Sequence, residues 1–161
     1  MKTKAVMSQP HLTSPIITDV PKLMGGKNEG PQPVELLLAS LAGCELVTAQ
    51  FIARNMRPRV TIDRIDFDMH ASRDQRGAMG SLPIVVTSTS KQDEESSFRS
   101  SSSSSLLPPS RLERIWGTAM VHTSASSAEL AMLAKEVKER CPIANMVILS
   151  GCTLEIEFRK A

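Results

Sequence analysis

The segment PVELLLASLAGCELVTAQFIAR, at positions 33–54, is long, apolar and almost free of charge. It opens with Pro33, which suits the first turn of a helix because the N–H that proline lacks has no partner there. Its large apolar side chains lie on all sides of the predicted helix instead of along one stripe. A helix of about 20 residues with this pattern is typical of a buried central element. We therefore predict a long central helix over 33–54.

Segments with other periodicities surround this helix. Alternating polar and apolar residues predict strands at 59–71 and 152–159, and residues 112–123 predict a strand that is apolar on both faces. The alternation in the first of these changes parity at Asp63-Arg64, which indicates a β-bulge. Two further short strands are expected within residues 1–32.

A second helix is predicted over 126–140 by its capping residues. Ser126 and Glu129 form a capping box, in which each side chain satisfies a backbone N–H of the other residue. The pair Cys141-Pro142 ends the helix, and the following PIANMVIL suggests a short helical turn.

The predicted order is β-β-α-β-β-α-β, an α+β fold with antiparallel sheets packed around central helices. One chain has too few elements to cover the central helix, so we expect an intertwined homodimer.

The composition limits the classes of protein to be considered. The chain has 161 residues, a net charge of +2 and 3% aromatic residues, which suits a single domain over 1–161 and argues against a nucleic-acid partner. No run of consecutive apolar residues reaches the ~18 of a membrane span, and no secretory signal precedes the fold, so no membrane association is expected. Three cysteines, none in a CxxC pair, favour free thiols in a reducing compartment, which predicts a location in the cytoplasm or an organelle matrix.

A serine-rich segment at about 77–110 interrupts this domain between two predicted strands. It contains an unbroken serine run at 100–105, followed by Pro108-Pro109. Such a composition buries too little apolar area to offset the entropy lost on ordering, so we interpret it as a low-complexity insertion. Its apolar run LPIVV, at 82–86, is the one part that suggests an extra edge strand.

The cysteines are the candidate reactive groups. Cys44 lies deep in the central helix, and Cys141 continues the apolar stripe of the second helix, so both are predicted to face the same interior. Each is equally compatible with core packing, since free cysteine is among the most buried residue types. Cys152 shares the apolar face of the last strand and is interpreted as a core residue. The three histidines, His11, His70 and His122, are too far apart in sequence to indicate a metal site.

Two motifs together resemble a known family. GPQPVELLLASLAGC at 30–44 resembles the signature of the OsmC/Ohr superfamily, in particular its OsmC-like branch. SSAELAMLAKEVKERCPIAN at 126–145 resembles the second conserved helix of that family and its Cys-Pro pair, and Asp19-Val20-Pro21 with Gly25-Gly26 also fits the branch. The resemblance covers nearly the whole chain outside the insertion.

The resemblance implies an intertwined α+β homodimer and a thiol-dependent peroxidase that acts on small organic hydroperoxides. Cys44 matches the peroxidatic cysteine, which would become a sulfenic acid, and Cys141 matches the resolving cysteine, which would form a Cys44–Cys141 disulfide. A dithiol reductant, in the family often lipoyl-bound, would then restore both thiols. The resemblance implies no metal and no organic cofactor.

The chain also departs from the peroxidase pattern. The family uses an N-terminal arginine, held by a glutamate ten residues before the peroxidatic cysteine, whereas this chain has no arginine before Arg54 and places Glu35 nine residues before Cys44. Lys22 and Lys27 are the candidate replacements for the missing cation, although lysine lacks the fork that clamps a carboxylate. We therefore keep two hypotheses: a peroxidase that uses Cys44, Cys141 and Glu35, and a non-catalytic dimeric binding module in which Cys44 is retained for packing.

Overall fold

The computed structural model describes residues 3–5, 16–79 and 108–161, and these form a mixed α+β fold. The elements follow in the order β1 (Thr3–Ala5), β2 (Ile16–Thr18), α1 (Pro33–Asn55), β3 (Ile62–Arg73), α2 (Gln75–Met79), β4 (Leu112–Thr123), α3 (Ser127–Arg140), α4 (Pro142–Leu149) and β5 (Thr153–Lys160), with a 3₁₀ turn at Lys22–Met24. The predicted order of strands and long helices is confirmed. The segment PIANMVIL, expected as a short turn, is the full helix α4.

Two sheets are formed. Strands β1 and β2 pair antiparallel, and β3, β4 and β5 form a second sheet in that order. The expected antiparallel pairing holds for β3 and β4, whereas β5 runs parallel to β4. The connection between β4 and β5 passes through α3 and α4, and a crossover of this length can return the chain to the same end of the sheet.

The predicted bulge lies at the start of β3. Ile62 pairs with Thr123 and Arg64 with His122, so Asp63 is the extra residue on the bulged strand. Beyond it, Ile65 is buried, whereas Asp66 and Asp68 are exposed. The bulge therefore returns the apolar side chains of β3 to the face that packs against the helices.

Helix α1 packs against α3, α4 and β3. By length and composition alone it is also apolar enough to cross a membrane, which the count of consecutive apolar residues did not indicate. However, its buried residues include the carboxyl-bearing Glu45, and its packing partners are elements of an α+β core. One chain leaves Val47 66% and Phe51 68% exposed, so the helix is covered on only part of its circumference.

The interior consists of two apolar clusters along α1. The first contains Ala49 and Ile52 from the C-terminal half of α1, packed against β3, β4 and α3. The second contains Leu41 from the N-terminal half, packed against β4, α4 and the start of β5. The three cysteines all belong to this second cluster or contact it. The fold therefore separates a purely structural core from one that holds every thiol of the chain.

The loop before α1 is organised by Asp19, which is 2% exposed. Its carboxylate accepts hydrogen bonds from the backbone N–H groups of Val20, Lys27 and Glu29. These bonds, with that from Glu29 as the largest contribution, hold the pKa of Asp19 below its usual value. Gly26 is required in the same loop, because a Cβ there would collide with the Val20 carbonyl.

The insertion can be followed only at its two ends. Residues 77–79 belong to α2, and Pro108 and Pro109 lead into β4. Gly77 lies directly against these two prolines, since a Cβ on Gly77 would contact their backbone atoms. The serine run and the expected edge strand LPIVV lie outside the described residues, as does His11.

Candidate functional site

Cys44 and Cys141 meet in the second apolar cluster. Cys44 projects from α1 and is half-buried, whereas Cys141 follows the last residue of α3 and has no exposed surface. Cys44 packs against the cluster that contains Cys141, and it lies close enough to raise the pKa of the Cys141 thiol. The structure thus brings together the two cysteines that the two sequence motifs indicated, from helices almost 100 residues apart in sequence.

Cys141 lies at a junction between two helices. Its backbone N–H donates to the Val137 carbonyl and closes α3, while its Sγ accepts a hydrogen bond of 3.5 Å from the N–H of Ala144 and caps α4. Pro142 takes the first position of α4, where its missing N–H costs nothing. The Cys-Pro pair therefore ends one helix and starts another, which fixes the direction of the Cys141 thiol.

The thiol of Cys141 is held in its protonated form. Burial raises its pKa, and the contact with Cys44 raises it further, whereas the backbone N–H groups of Ala144 and Ile143 act in the opposite direction. A buried thiol that is protonated at neutral pH is a poor first nucleophile. Cys44 is the more accessible thiol of the pair.

Glu35 is not brought to the cysteines. Its carboxylate accepts a hydrogen bond of 2.8 Å from the backbone N–H of Gln32 and so caps the start of α1. Nine residues of helix separate it from Cys44, a rise of about 13 Å. Lys22 and Lys27 are both exposed on the loop before α1. Within the described residues, no hydrogen bond or ion pair joins any of these three side chains to Cys44.

Glu45 is a buried acid in the middle of α1. It is 2% exposed, and its Oε2 has no hydrogen-bond partner among the described residues. Burial raises its pKa to about 7. It lines a cavity of 380 Å³ between α1, α3 and β5, with Lys135 and Lys138 at the edge. A single glutamate in the middle of an otherwise apolar helix was the sequence signal for this group.

The remaining polar candidates lie on the outer face of the sheet. His122 and Arg64 share the Asp66 carboxylate, and His70 lies beside Asp68 and stacks on Trp116. Both histidines thus lie on strands, His70 exposed and His122 partly exposed. In the part of the chain that the structure describes, no cluster of three or more His, Cys, Asp or Glu side chains could hold a metal.

Cys152 packs in the core, as its position on the apolar strand face predicted. It is 5% exposed and belongs to the same cluster as Cys141. Burial raises its pKa, while the positive charge of Arg111 acts in the opposite direction. No disulfide joins any of the three cysteines.

This α+β fold has counterparts among known proteins. The profile of the OsmC-like protein family matches residues 26–157. This chain belongs to the OsmC-like protein family. The match begins in the loop before α1 and ends in β5, so it includes both cysteine motifs. No functionally curated protein matches the chain in sequence.

Solved OsmC-like structures share the fold of this chain. The OsmC-like protein from Mycoplasma pneumoniae superimposes with a TM-score of 0.66 at 19% identity, over 100% of this chain and 96% of its own. An organic hydroperoxide resistance protein from Legionella pneumophila gives 0.56 at 11% identity, over 98% and 94%. The organic hydroperoxide resistance protein OhrB of Bacillus subtilis gives 0.54 at 14% identity, over 99% and 96%.

Proposed function

We propose that this protein is a thiol-dependent peroxidase that reduces small organic hydroperoxides. The observation that carries the proposal is the contact between the half-buried Cys44 and the fully buried Cys141. Packing alone requires no thiol at either position, whereas a pair of thiols in contact can be oxidised to a disulfide with little rearrangement. Family membership and the printed names of the Legionella and Bacillus structures support the same substrate class.

The proposed cycle begins at Cys44. Its thiolate attacks the terminal oxygen of the hydroperoxide, the O–O bond breaks, and the alkoxide leaves as an alcohol after taking up a proton. Cys44 is then a sulfenic acid, oxidised by two electrons. The Cys141 sulfur attacks the Cys44 sulfur, an S–S bond forms, and the hydroxyl leaves as water with the proton that Cys141 gives up. A dithiol reductant, for example of the lipoyl type, returns both cysteines to thiols by two exchange steps.

The first step is proposed to be slow. In the described part of the chain no cation contacts Cys44, and Glu35 is engaged at the start of α1. A neighbouring positive charge is what usually activates a cysteine for nucleophilic attack, so an attack by Cys44 without one should be slow. The same observation favours the second candidate function, a non-catalytic dimeric binding module in which Cys44 serves packing.

The deciding experiment treats the reduced protein with one equivalent of an alkyl hydroperoxide or of hydrogen peroxide and maps the thiols by mass spectrometry. We expect a Cys44–Cys141 disulfide, faster formation with the alkyl hydroperoxide, and a free Cys152. Cys44→Ser should abolish turnover, while Cys141→Ser should consume one equivalent and stop. Cys152→Ser, the matched control, should behave as the wild type. A Cys44–Cys152 disulfide would reverse the assigned roles, and an unmodified Cys44 in excess peroxide would favour the binding module.

We further propose that the working form is a homodimer. One chain exposes several large apolar residues on α1, α3 and α4: Leu37, Val47, Phe51, Met132, Met146 and Leu149. A second copy is the partner that would cover α1, as the all-round apolar character of that helix suggests.

Free thiols suit a reducing compartment, so we propose that the dimer works in the cytoplasm or an organelle matrix.

A further inference from the structure

A second cavity is lined by neither Cys44 nor Cys141, although it borders the same apolar cluster. It has a volume of 360 Å³, is open on one side, and is lined by the first turns of α1, by α4 and by the adjacent ends of β3 and β4. Leu37, Ile115 and Met146 supply much of its apolar wall, and the side chain of Cys152 forms part of the same wall. None of the residues that line it is acidic.

Two arginines stand at this cavity. Arg73 is the last residue of β3, and Arg111 directly precedes β4, so the pairing of Arg73 with Leu112 brings both to one end of the sheet. Arg111 donates a hydrogen bond from Nη1 to the Gly151 carbonyl, which holds its guanidinium in place. Arg111 also interacts electrostatically with Cys152 in the cavity wall. Burial raises the pKa of that thiol, and the positive charge of Arg111 offsets part of this rise.

Neither arginine is neutralised within the described residues. Five other arginines of the chain do pair with a carboxylate: Arg64, Arg76, Arg114, Arg140 and Arg159. Arg73 has no such partner in the described part of the chain, and the bond from Arg111 to a neutral carbonyl leaves its charge uncompensated. A guanidinium group binds a carboxylate through a fork of charge-assisted hydrogen bonds. Two guanidinium groups beside an apolar wall can therefore bind the charged head of an aliphatic carboxylate while the wall contacts its hydrocarbon part.

We propose that this cavity binds a small carboxylate with an aliphatic body, with the carboxylate between Arg73 and Arg111 and the aliphatic part against Ile115 and Val147. The two positive charges favour a negatively charged head group, and the apolar wall favours a hydrocarbon chain. The site goes beyond the proposed peroxidase activity and does not depend on it, since binding requires neither Cys44 nor Cys141.

The proposal is tested by calorimetric titration of the reduced protein with octanoate, octanol and octylamine. Octanoate should bind at least tenfold more tightly than the other two, which share its aliphatic body. Arg73→Gln and Arg111→Gln should each weaken octanoate binding about tenfold, the loss expected for one charge-assisted contact. Arg57→Gln, an exposed arginine outside the cavity, should leave it unchanged. Equal binding of octanoate and octanol, or octanoate binding that survives both substitutions, would overturn the proposal.

A second measurement locates the ligand. Bound octanoate should slow the alkylation of Cys152 by iodoacetamide several-fold, because Cys152 lies in the cavity wall, and it should slow that of Cys44 much less. Arg111→Gln should remove the protection. Equal protection of both thiols would contradict binding in this cavity. Neither readout uses peroxide, so a protein without peroxidase activity could still confirm the site, and an active peroxidase could still fail this test.

Discussion

Single residues of this chain serve more than one structural purpose at once. Cys141 closes α3 through its backbone, caps α4 through its sulfur and contacts Cys44. Glu45, the residue after Cys44, has a buried carboxyl group that lines a cavity together with residues of α3 and β5, and one of its oxygens has no partner among the described residues. Burial of an unpaired carboxyl costs stability whenever the group is ionised.

The ionisation of Glu45 predicts how stability depends on pH. Its pKa is about 7 in the folded chain against an ordinary 4.5, so the folded state holds the proton more tightly. Stability is therefore unaffected by this group below about pH 4.5, falls as the pH rises towards 7, and stays lower above it. The difference of about 2.5 pH units corresponds to about 3 kcal/mol at pH 8.

Glu45→Gln should remove this dependence, because the amide has a similar size and never ionises. We expect the free energy of unfolding of the variant to exceed that of the wild type by up to about 3 kcal/mol at pH 8 and by little at pH 5. Urea unfolding at both pH values measures the difference. Glu113→Gln, a change at an exposed glutamate, should shift both values by less than about 0.5 kcal/mol. A Glu45→Gln gain that is equal at both pH values would refute the assigned ionisation.

At the scale of elements, helix α3 begins with a complete capping box. Ser126 Oγ accepts from the Glu129 N–H, and the Glu129 carboxylate accepts from the Ser126 N–H at 2.8 Å. Hydrogen bonds from the backbone and side chain of Ser126 hold the pKa of Glu129 below its usual value. The capping box fixes the residue at which α3 begins and therefore which of its side chains face inward. Leu130, Leu133 and Val137 lie in the core, and Cys141 lies at the end of the same stripe.

Ser126→Ala should lower the free energy of unfolding by about 1 kcal/mol, because the Glu129 N–H loses its acceptor and the Glu129 carboxylate loses the bond from the Ser126 hydroxyl. Chemical denaturation monitored by circular dichroism measures the loss. Ser127→Ala changes an exposed serine one position later and should cost less than about half as much. Equal losses in the two variants would mean that the capping box does not stabilise this helix.

At the scale of the whole molecule, β3 and β4 form a hairpin whose connection is the serine-rich insertion. Gly77 on one side lies against Pro108 and Pro109 on the other, so the two ends are already in contact. The sequence placed the insertion at about 77–110, but residues 77–79 belong to α2, and a deletion should spare them. Closing a gap between adjacent ends needs only a short turn.

Replacement of residues 80–107 by a short glycine-rich turn should therefore leave a cooperatively folding protein with the same thiol reactivity. Thermal unfolding of the shortened chain should show one transition within a few degrees of that of the full chain. Loss of cooperative unfolding would show that the LPIVV segment contributes to the core.

The proposed dimer is also a property of the whole molecule. Sedimentation equilibrium at micromolar concentration should give twice the chain mass, since a single chain exposes Val47 and Phe51 on α1. Val47→Glu should shift the equilibrium towards monomer, whereas Lys138→Glu on exposed α3 surface should not. A stable folded monomer of the wild type would contradict the proposed assembly.

Local rules were enough to predict much of this chain from its sequence. Pro33 and the capping box at Ser126 fixed where two helices begin, and alternation with one change of parity located the bulge at Asp63. These features depend on helix capping and side-chain periodicity, which involve only residues a few positions apart in sequence. The same motifs indicated Cys44 and Cys141 as a pair. The helix α4 was foreseeable too, because Pro142 suits its first position as Pro33 suits that of α1.

Other features depended on contacts between distant parts of the chain. The parallel pairing of β5 with β4, the burial of Glu45 and the meeting of Arg73 with Arg111 at one cavity each join residues that no local pattern connects. Glu35 is a different case, since its bond to the Gln32 N–H is local and caps its own helix, about 13 Å along the axis from Cys44. Sequence determined which segments are helix or strand, because those preferences are local. Tertiary structure decided which side chains lose water and which charges find partners, because both depend on the packing of elements far apart in sequence.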